Sequence, residues 1–261
     1  MNSKLEFSFR FLKYLWQSQT RHDIHSPFVY DLLTNVIKDK FAPEAFKKIE
    51  DIRIELLRSD AEISVNDLGA GSVFGAKKKR KISQITKDTS KQPKYAQLLY
   101  RLAEHFQSKT ILELGTSLGI STAYLAAVKG SKVITIEGCA EKANVAKNNF
   151  SKINLDNIAV VVGNFDEKLS TVLDRTGQLD FVFFDGNHRK EPTLNYFELC
   201  LNKAHNNTVF VFDDIHWSNE MEDAWNTIKA NAGVTVTVDL FFLGLVFLRK
   251  EQTKQHFIIK Y

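Results

Sequence analysis

The chain has 261 residues, with 35 Lys+Arg against 31 Asp+Glu and a formal net charge of +4. Hydrophobic residues make up 44% and charged residues 25%, which excludes a disordered chain and a collagen-like repeat. Two cysteines, Cys139 and Cys200, exclude a disulfide framework and point to a reducing compartment.

The length suits one large domain, or one domain with an appendage, and is enough to bury a substantial core. No apolar run approaches the roughly 18 residues of a membrane helix. The longest, near Leu240–Leu248, is broken by Gly244 and is strand-like. Met1 to Trp16 carries charges throughout and has no small-residue cleavage site, so it does not read as a secretory signal. The expected location is the cytoplasm. Charge is uneven: residues 1–109 carry 20 basic and 13 acidic side chains, and the remainder 15 and 18. Such asymmetry fits an arm meeting an anionic partner, but a solvated helical face explains it more simply.

In chain order, Phe7, Phe11, Tyr14 and Leu15 recur at helical spacing and give an apolar stripe. That stripe reads as core or as a homodimer contact. Its modest basic flank disfavours a membrane surface. Pro27 suits the first turn of a second helix running to about Ile37, and Pro43 opens a third through Leu57. Residues 67–91 read as a loop. It holds a glycine-rich turn at Asp67–Gly71 and the cations Lys77, Lys78, Lys79, Arg80 and Lys81, which repel one another and stay in water. Contact with phosphates is the functional alternative for that run. The Asp67–Gly71 turn lacks both a following amphipathic helix and a strand-ending acid about 20 residues on, so it is not a nucleotide loop.

From Pro93 the texture changes. Tyr95–Phe106 is an amphipathic helix. Strand patterns at Thr110–Leu114, Lys132–Glu137, Ile158–Val162, Phe181–Asp185 and Thr208–Phe212 then alternate with helical ones. The helices are Ser121–Lys129, Glu141–Ile153, Asp166–Leu173, Pro192–Asn202 and Asn219–Ala230. This alternation specifies an α/β fold, a doubly wound and mostly parallel sheet. Val234–Val238 and Phe242–Leu248 follow one another closely, so they pair antiparallel. Residues 254–261 add a short edge element. The expected division is a helical and irregular extension over residues 1–90 and one domain over 91–261.

Glu113-Leu114-Gly115-Thr116-Ser117-Leu118-Gly119-Ile120-Ser121 follows a strand and opens a helix, where a doubly wound sheet places its ligand. Glu137 ends the next strand, 22 positions after Gly115, where a carboxylate can accept both hydroxyls of a ribose. A dinucleotide fingerprint needs Gly-x-Gly-x-x-Gly, and Ser117 and Ile120 stand where its later glycines belong. The spacing Glu-x-Gly-x-x-x-Gly instead resembles motif I of class I S-adenosylmethionine (SAM) methyltransferases. The resemblance implies a seven-stranded Rossmann-like sheet with an antiparallel last strand, and SAM as cofactor. It places Glu113, Gly115, Thr116, Ser117, Gly119 and Ser121 around the amino-acid part of SAM. It also places Glu137 and Gly138 at the ribose, Asn164 and Phe165 at the adenine, and Asp185 beside the cofactor.

Asp185-Gly186-Asn187-His188 ends the fourth strand, and Asp213-Asp214 ends the fifth. Close carboxylates repel, and a hard cation resolves this; oxygen ligands favour Mg²⁺, Mn²⁺ or Ca²⁺. The pattern resembles cation-dependent O-methyltransferases of the catechol and caffeoyl-CoA type, and a broader family 24 group of related methyltransferases. That resemblance implies a cation on Asp185, Asp213 and Asp214. Asp214 departs from the family's Asn, and His188 stands where the catechol enzymes carry a catalytic Lys. His188 and Asp185 are thus the catalytic candidates, with His188 as general base. The departure counts against catechol itself as acceptor.

The structural alternatives are strand-end capping for Asp185, an N-cap of the Asn219–Ala230 helix for Asp213 and Asp214, and an exposed loop for His188. His216 and Trp217 are expected to wall the acceptor site. The other histidines lack ligand-like spacing. The partner implied is a small-molecule methyl acceptor. A nucleic-acid substrate is disfavoured, because no Asn/Asp-Pro-Pro-Tyr-type string follows the fourth strand. A metal-independent N- or O-methyltransferase and a catalytically silent SAM-binding protein remain the rivals.

Overall fold

The computed structural model describes residues 3–65 and 78–261. Helix α1 (Ser3–Gln17) is followed by α2 (Pro27–Leu32), which continues as a π-helical turn over Leu33–Ile37. Pro27 sits in the first turn of α2, and Ser26 caps it by accepting the Val29 N–H. Helix α3 (Glu44–Arg58) starts after Pro43 and leads to strand β1 (Glu62–Val65). Strand β2 (Lys78–Lys81) and helix α4 (Ile82–Thr89) come next, then α5 (Pro93–His105) and β3 (Thr110–Leu114).

The alternation then runs through α6 (Ile120–Ala126), β4 (Lys132–Glu137), α7 (Ala140–Lys152), β5 (Ile158–Val162), α8 (Phe165–Arg175) and β6 (Leu179–Phe184). It ends with α9 (Lys190–Leu201), β7 (Ala204–Asp213) and α10 (Asn219–Ala230). Strands β8 (Val236–Asp239), β9 (Leu243–Phe247) and β10 (Gln255–Ile258) close the chain.

The fold class is α/β with a large, mostly parallel sheet, as the alternation requires. The seven strands expected are joined by β10, the short edge element of the C-terminal residues. The chain forms two compact units, one of residues 40–177 and one of residues 1–39 with 178–261.

In the unit of residues 40–177, β3, β4 and β5 are parallel neighbours, with Leu112 beside Ile134 and Ile136 beside Val161. Fully buried Ile111, Leu112, Leu114, Val133 and Ile136 fill their interior faces. The reading of residues 67–91 as a loop is corrected over its described part. Lys78–Lys81 is a strand antiparallel to β1, and Ile82–Thr89 is helical. The antiparallel ladder with β1 bonds the facing backbone groups of β2, while Lys81 pairs with Asp60 at 2.8 Å and Arg80 with Asp88. The expectation of mutual repulsion left out these nearby carboxylates. The Asp67–Gly71 turn and Lys77 lie outside the described residues.

In the other unit the strand order is β10-β8-β9-β7-β6. Strands β6 and β7 are parallel, and β9 runs antiparallel to both β7 and β8. Phe181, Phe183, Phe210, Phe212 and Phe247 are essentially fully buried here. Helix α1 is tied to the chain end by the Tyr14 hydroxyl, which donates to the Ile259 carbonyl. No helix among the described residues is long and apolar enough to cross a membrane.

Candidate active site

The bend between β3 and α6 begins in the left-handed half of backbone space. Gly115 has φ 111°, Ser117 47° and Gly119 88°. Gly119 is the N-cap of α6, and a Cβ there would lie 2.5 Å from the Phe150 ring. Glycine is therefore required at 119 by both backbone and packing. The Asn149 amide donates to the Leu118 carbonyl at 2.9 Å and braces the bend from α7.

Glu137 faces this bend. Its Oε2 accepts the Ser117 N–H at 2.8 Å, and its Oε1 accepts the Cys139 N–H at 2.9 Å. A carboxylate is an acceptor with about four lone-pair sites. Gly138 follows it and is half-buried, and the Gly163 N–H donates to the Glu137 carbonyl at 2.9 Å. Asn164 caps α8 by accepting the Asp166 N–H, and both Asn164 and Phe165 are half-buried.

Glu113 and Ser121 are placed differently from a ligand contact. Glu113 is fully buried, and its carboxylate accepts the hydroxyls of Ser121 at 2.6 Å, Thr135 at 2.7 Å and Thr122. Burial pushes the Glu113 carboxyl above the usual carboxylate range, against the pull of those three hydroxyls. Thr116 is also buried, its hydroxyl 2.6 Å from that of Thr135. These side chains lock the end of β3 to α6 and β4 beneath the bend. Thr135 was not expected from the sequence; a threonine among the apolar residues of β4 was its one available signal. Thr89 of α4 is a second such residue, its hydroxyl 2.7 Å from that of Ser117.

In the other unit, Asp185, His188 and Asp213 each offer one ligand atom, and the three atoms lie within 4.8 Å of one another. His188 Nε2 is 3.9 Å from Asp185 Oδ1. Asp185 directly follows β6 and Asp213 ends the neighbouring parallel strand β7, which brings them together, and the turn at Asn187 (φ 52°) leads to His188. Asp214 is not part of this group. Its φ is 53°, its N–H donates to the Phe242 carbonyl at 2.8 Å, and its carbonyl accepts the Trp217 N–H. Nor is Asp213 or Asp214 the N-cap of α10, since Ser218 fills that role. Two carboxylates and an imidazole within this span fit a divalent cation, with a nitrogen donor that an all-oxygen set lacks.

His216 does not wall an open site. Its Nδ1 is 2.9 Å from Glu222 and its Nε2 is 2.8 Å from Asp239, and its ring stacks on Phe241. Trp217 is 61% exposed and meets Phe7 of α1 edge-on.

A family profile described as a methyltransferase domain matches residues 112–215, from the glycine bend through the acidic strand ends. The chain is a class I SAM-dependent methyltransferase. A catechol O-methyltransferase from Niastella koreensis is 28% identical over 171 residues, spanning 60% of this chain and 76% of that one. A catechol O-methyltransferase from Mycobacterium tuberculosis is 33% identical over 117 residues, 44% of this chain and 51% of that one. Among solved structures, an O-methyltransferase from Streptomyces achromogenes involved in tomaymycin synthesis, in complex with SAM, superposes with a TM-score of 0.58. It shares 20% identity and covers 85% of this methyltransferase and 95% of its own chain. The coarse assignment is thus to SAM-dependent O-methyltransferases, with the fold to match.

Proposed function

We propose that this methyltransferase transfers a methyl group from SAM to a hydroxyl of a small molecule, with a divalent cation held by Asp185 and Asp213. The meeting of Asp185, His188 and Asp213 within 4.8 Å carries this reading. SAM would supply an already activated methyl, and a cation held by Asp185 and Asp213 would lower the pKa of the acceptor hydroxyl. The protein's own work is then largely positioning.

Gly115, Thr116, Ser117 and Gly119 present backbone to the amino-acid part of SAM. Glu137 grips the ribose beside Gly138, and Asn164 and Phe165 border the adenine. Glu113 and Ser121 support that bend from beneath. Asp185 orients His188, which accepts the proton of the acceptor hydroxyl. Residues 1–90 form an extension that shapes the acceptor side of the domain over 91–261. The partner is a small acceptor rather than a nucleic acid or a membrane. Two buried, free cysteines suit a reducing cytoplasm.

The membership of His188 in the cluster favours a second reading, in which its imidazole is the third ligand in place of Asp214. Manganese then binds better than magnesium or calcium, because a nitrogen donor suits it better.

Calorimetric titration of SAM and of NAD, with and without Mg²⁺ or Mn²⁺, tests cofactor and metal together. SAM is expected to bind and NAD not. Methyl transfer to a panel of phenols is expected to stop with EDTA and to fall at least about 100-fold in Asp185→Ala and Asp213→Ala. Turnover unchanged by EDTA removes the cation from the mechanism. Nitrogen coupling in the electron paramagnetic resonance of bound Mn²⁺, lost in His188→Ala, assigns His188 as ligand. Its absence, with a lost limb in the pH–rate profile, assigns it as base.

A further inference from the structure

Helix α1 has two apolar faces. Tyr14 is buried, and Phe7 and Phe11 pack edge-on against Phe241 at 5.2 and 4.9 Å. Arg10 fastens the same face through Glu222 at 3.0 Å and through Asn219. The opposite face carries Leu5 at 63% exposure, Phe9 at 70%, Leu12 at 63% and Trp16 at 86%.

The intervals between those four residues are 4, 3 and 4. At about 100° per residue they fall within one narrow stripe, the spacing of a coiled-coil seam. A single exposed apolar residue is ordinary; a continuous seam of four large ones marks an interaction surface.

We propose that this stripe is the interface of a two-fold symmetric dimer, in which α1 packs antiparallel against α1 of a second copy. The stripe is symmetric about the midpoint between Phe9 and Leu12. In the antiparallel arrangement Leu5 meets Trp16 of the partner subunit, and Phe9 meets the partner's Leu12, so each large ring faces a smaller side chain. A parallel pair instead sets Trp16 against Trp16 and Phe9 against Phe9. Lys13, on the flank, faces the partner's Ser8 rather than a like charge.

A self-complementary patch of this kind is what a two-fold interface requires. The four side chains and their flanks supply roughly 600 Å² per protomer, and the pair about 1,200 Å², the lower bound of a stable specific interface. A lipid surface fits less well. A membrane-surface helix carries its Lys and Arg on a solvated polar face, whereas the reverse of α1 is packed on protein. Arg10 is engaged there with a carboxylate, which leaves Lys13 as the cation of α1 that flanks the stripe among its described side chains.

Sedimentation equilibrium on the full chain, from below 1 µM to about 100 µM, tests this. The wild type is expected to dimerise within that range. Phe9→Asp and, separately, Trp16→Ser are expected to weaken the dimer at least about tenfold, with near-ultraviolet circular dichroism unchanged. Because both residues are exposed in the single chain, neither change removes core packing.

Mixing Phe9→Cys and Leu12→Cys chains under mild oxidation fixes the direction. Mixed disulfides in excess of the statistical half support the antiparallel pair, and homodisulfides in excess overturn it. A monomer throughout the range overturns the proposal, as does a dimer that both variants leave intact. A monomer that co-sediments with anionic lipid vesicles overturns it in favour of the membrane.

Discussion

The carboxylate of Glu137 accepts the backbone N–H of Ser117 at 2.8 Å, so the acid that ends β4 is bonded directly to the glycine bend that follows β3. This bond pulls the bend, whose Ser117 has a positive φ, toward the strand end. It also orients the carboxylate toward the side of the sheet where a ribose is proposed to lie.

Glu137→Gln retains the shape of the side chain but loses its charge. SAM affinity by calorimetry is expected to fall roughly 10- to 100-fold, in line with the loss of about 1.5–3 kcal/mol for hydrogen bonds to a charged acceptor. Glu137→Ala is expected to lose more and to lower the melting temperature as well, because the Ser117 and Cys139 N–H groups both lose their acceptor. Unchanged affinity in both variants removes Glu137 from the cofactor site.

Gly119→Ala is expected to destabilise the protein by about 2–4 kcal/mol, from the positive φ and the overlap with Phe150 together. Phe150→Leu in the same chain is expected to recover part of the loss by clearing the ring, while the backbone strain persists. Urea midpoints of the single and double variants measure both terms.

Glu113 is fully buried and accepts three hydroxyls. Glu113→Ala leaves Ser121, Thr122 and Thr135 without this acceptor, and is expected to cost about 3 kcal/mol or more in urea unfolding. SAM affinity is expected to fall through disorder of the bend. A variant that unfolds normally yet fails to bind SAM gives Glu113 a direct ligand role instead.

His216 carries a pH signature. Burial of its ring works against the charge, but the hydrogen bonds and charges of Asp239 and Glu222 outweigh this, so it titrates above the ordinary 6.5. A raised folded-state value means that the protonated ring contributes stability fully below about 6.5, and that this contribution is lost as pH rises through the folded value. His216→Gln is therefore expected to cost on the order of 2 kcal/mol at about pH 6, with the gap from wild type narrowing by about pH 9. A gap independent of pH means that the ring is held neutral.

Much of the fold around the candidate site was legible because its signals are local. The period of apolar residues sets strand against helix, and β3, β4 and β5 fall where that period placed them. Gly115 and Gly119 stand at a strand-to-helix turn that needs their backbone freedom, and the acid of Glu137 follows at the distance of one helix and one strand. Residues 67–91 were less legible, because the ladder bonds and carboxylates that stabilise β2 come from β1, Asp60 and Asp88. No window around Lys78–Lys81 contains Asp60 as an obvious partner.

The sequence alone therefore determined the α/β architecture, the glycine bend and the acids at the strand ends, since each is written in a short stretch of chain. Tertiary structure decided which of those acids meet. It joined His188 rather than Asp214 to Asp185 and Asp213, turned Glu113 inward onto three hydroxyls from two elements, and sealed His216 between Asp239 and Glu222. It also decided which face of α1 is covered and which is bare. A side chain's direction depends on neighbours distant in sequence, and neither periodicity nor spacing encodes them.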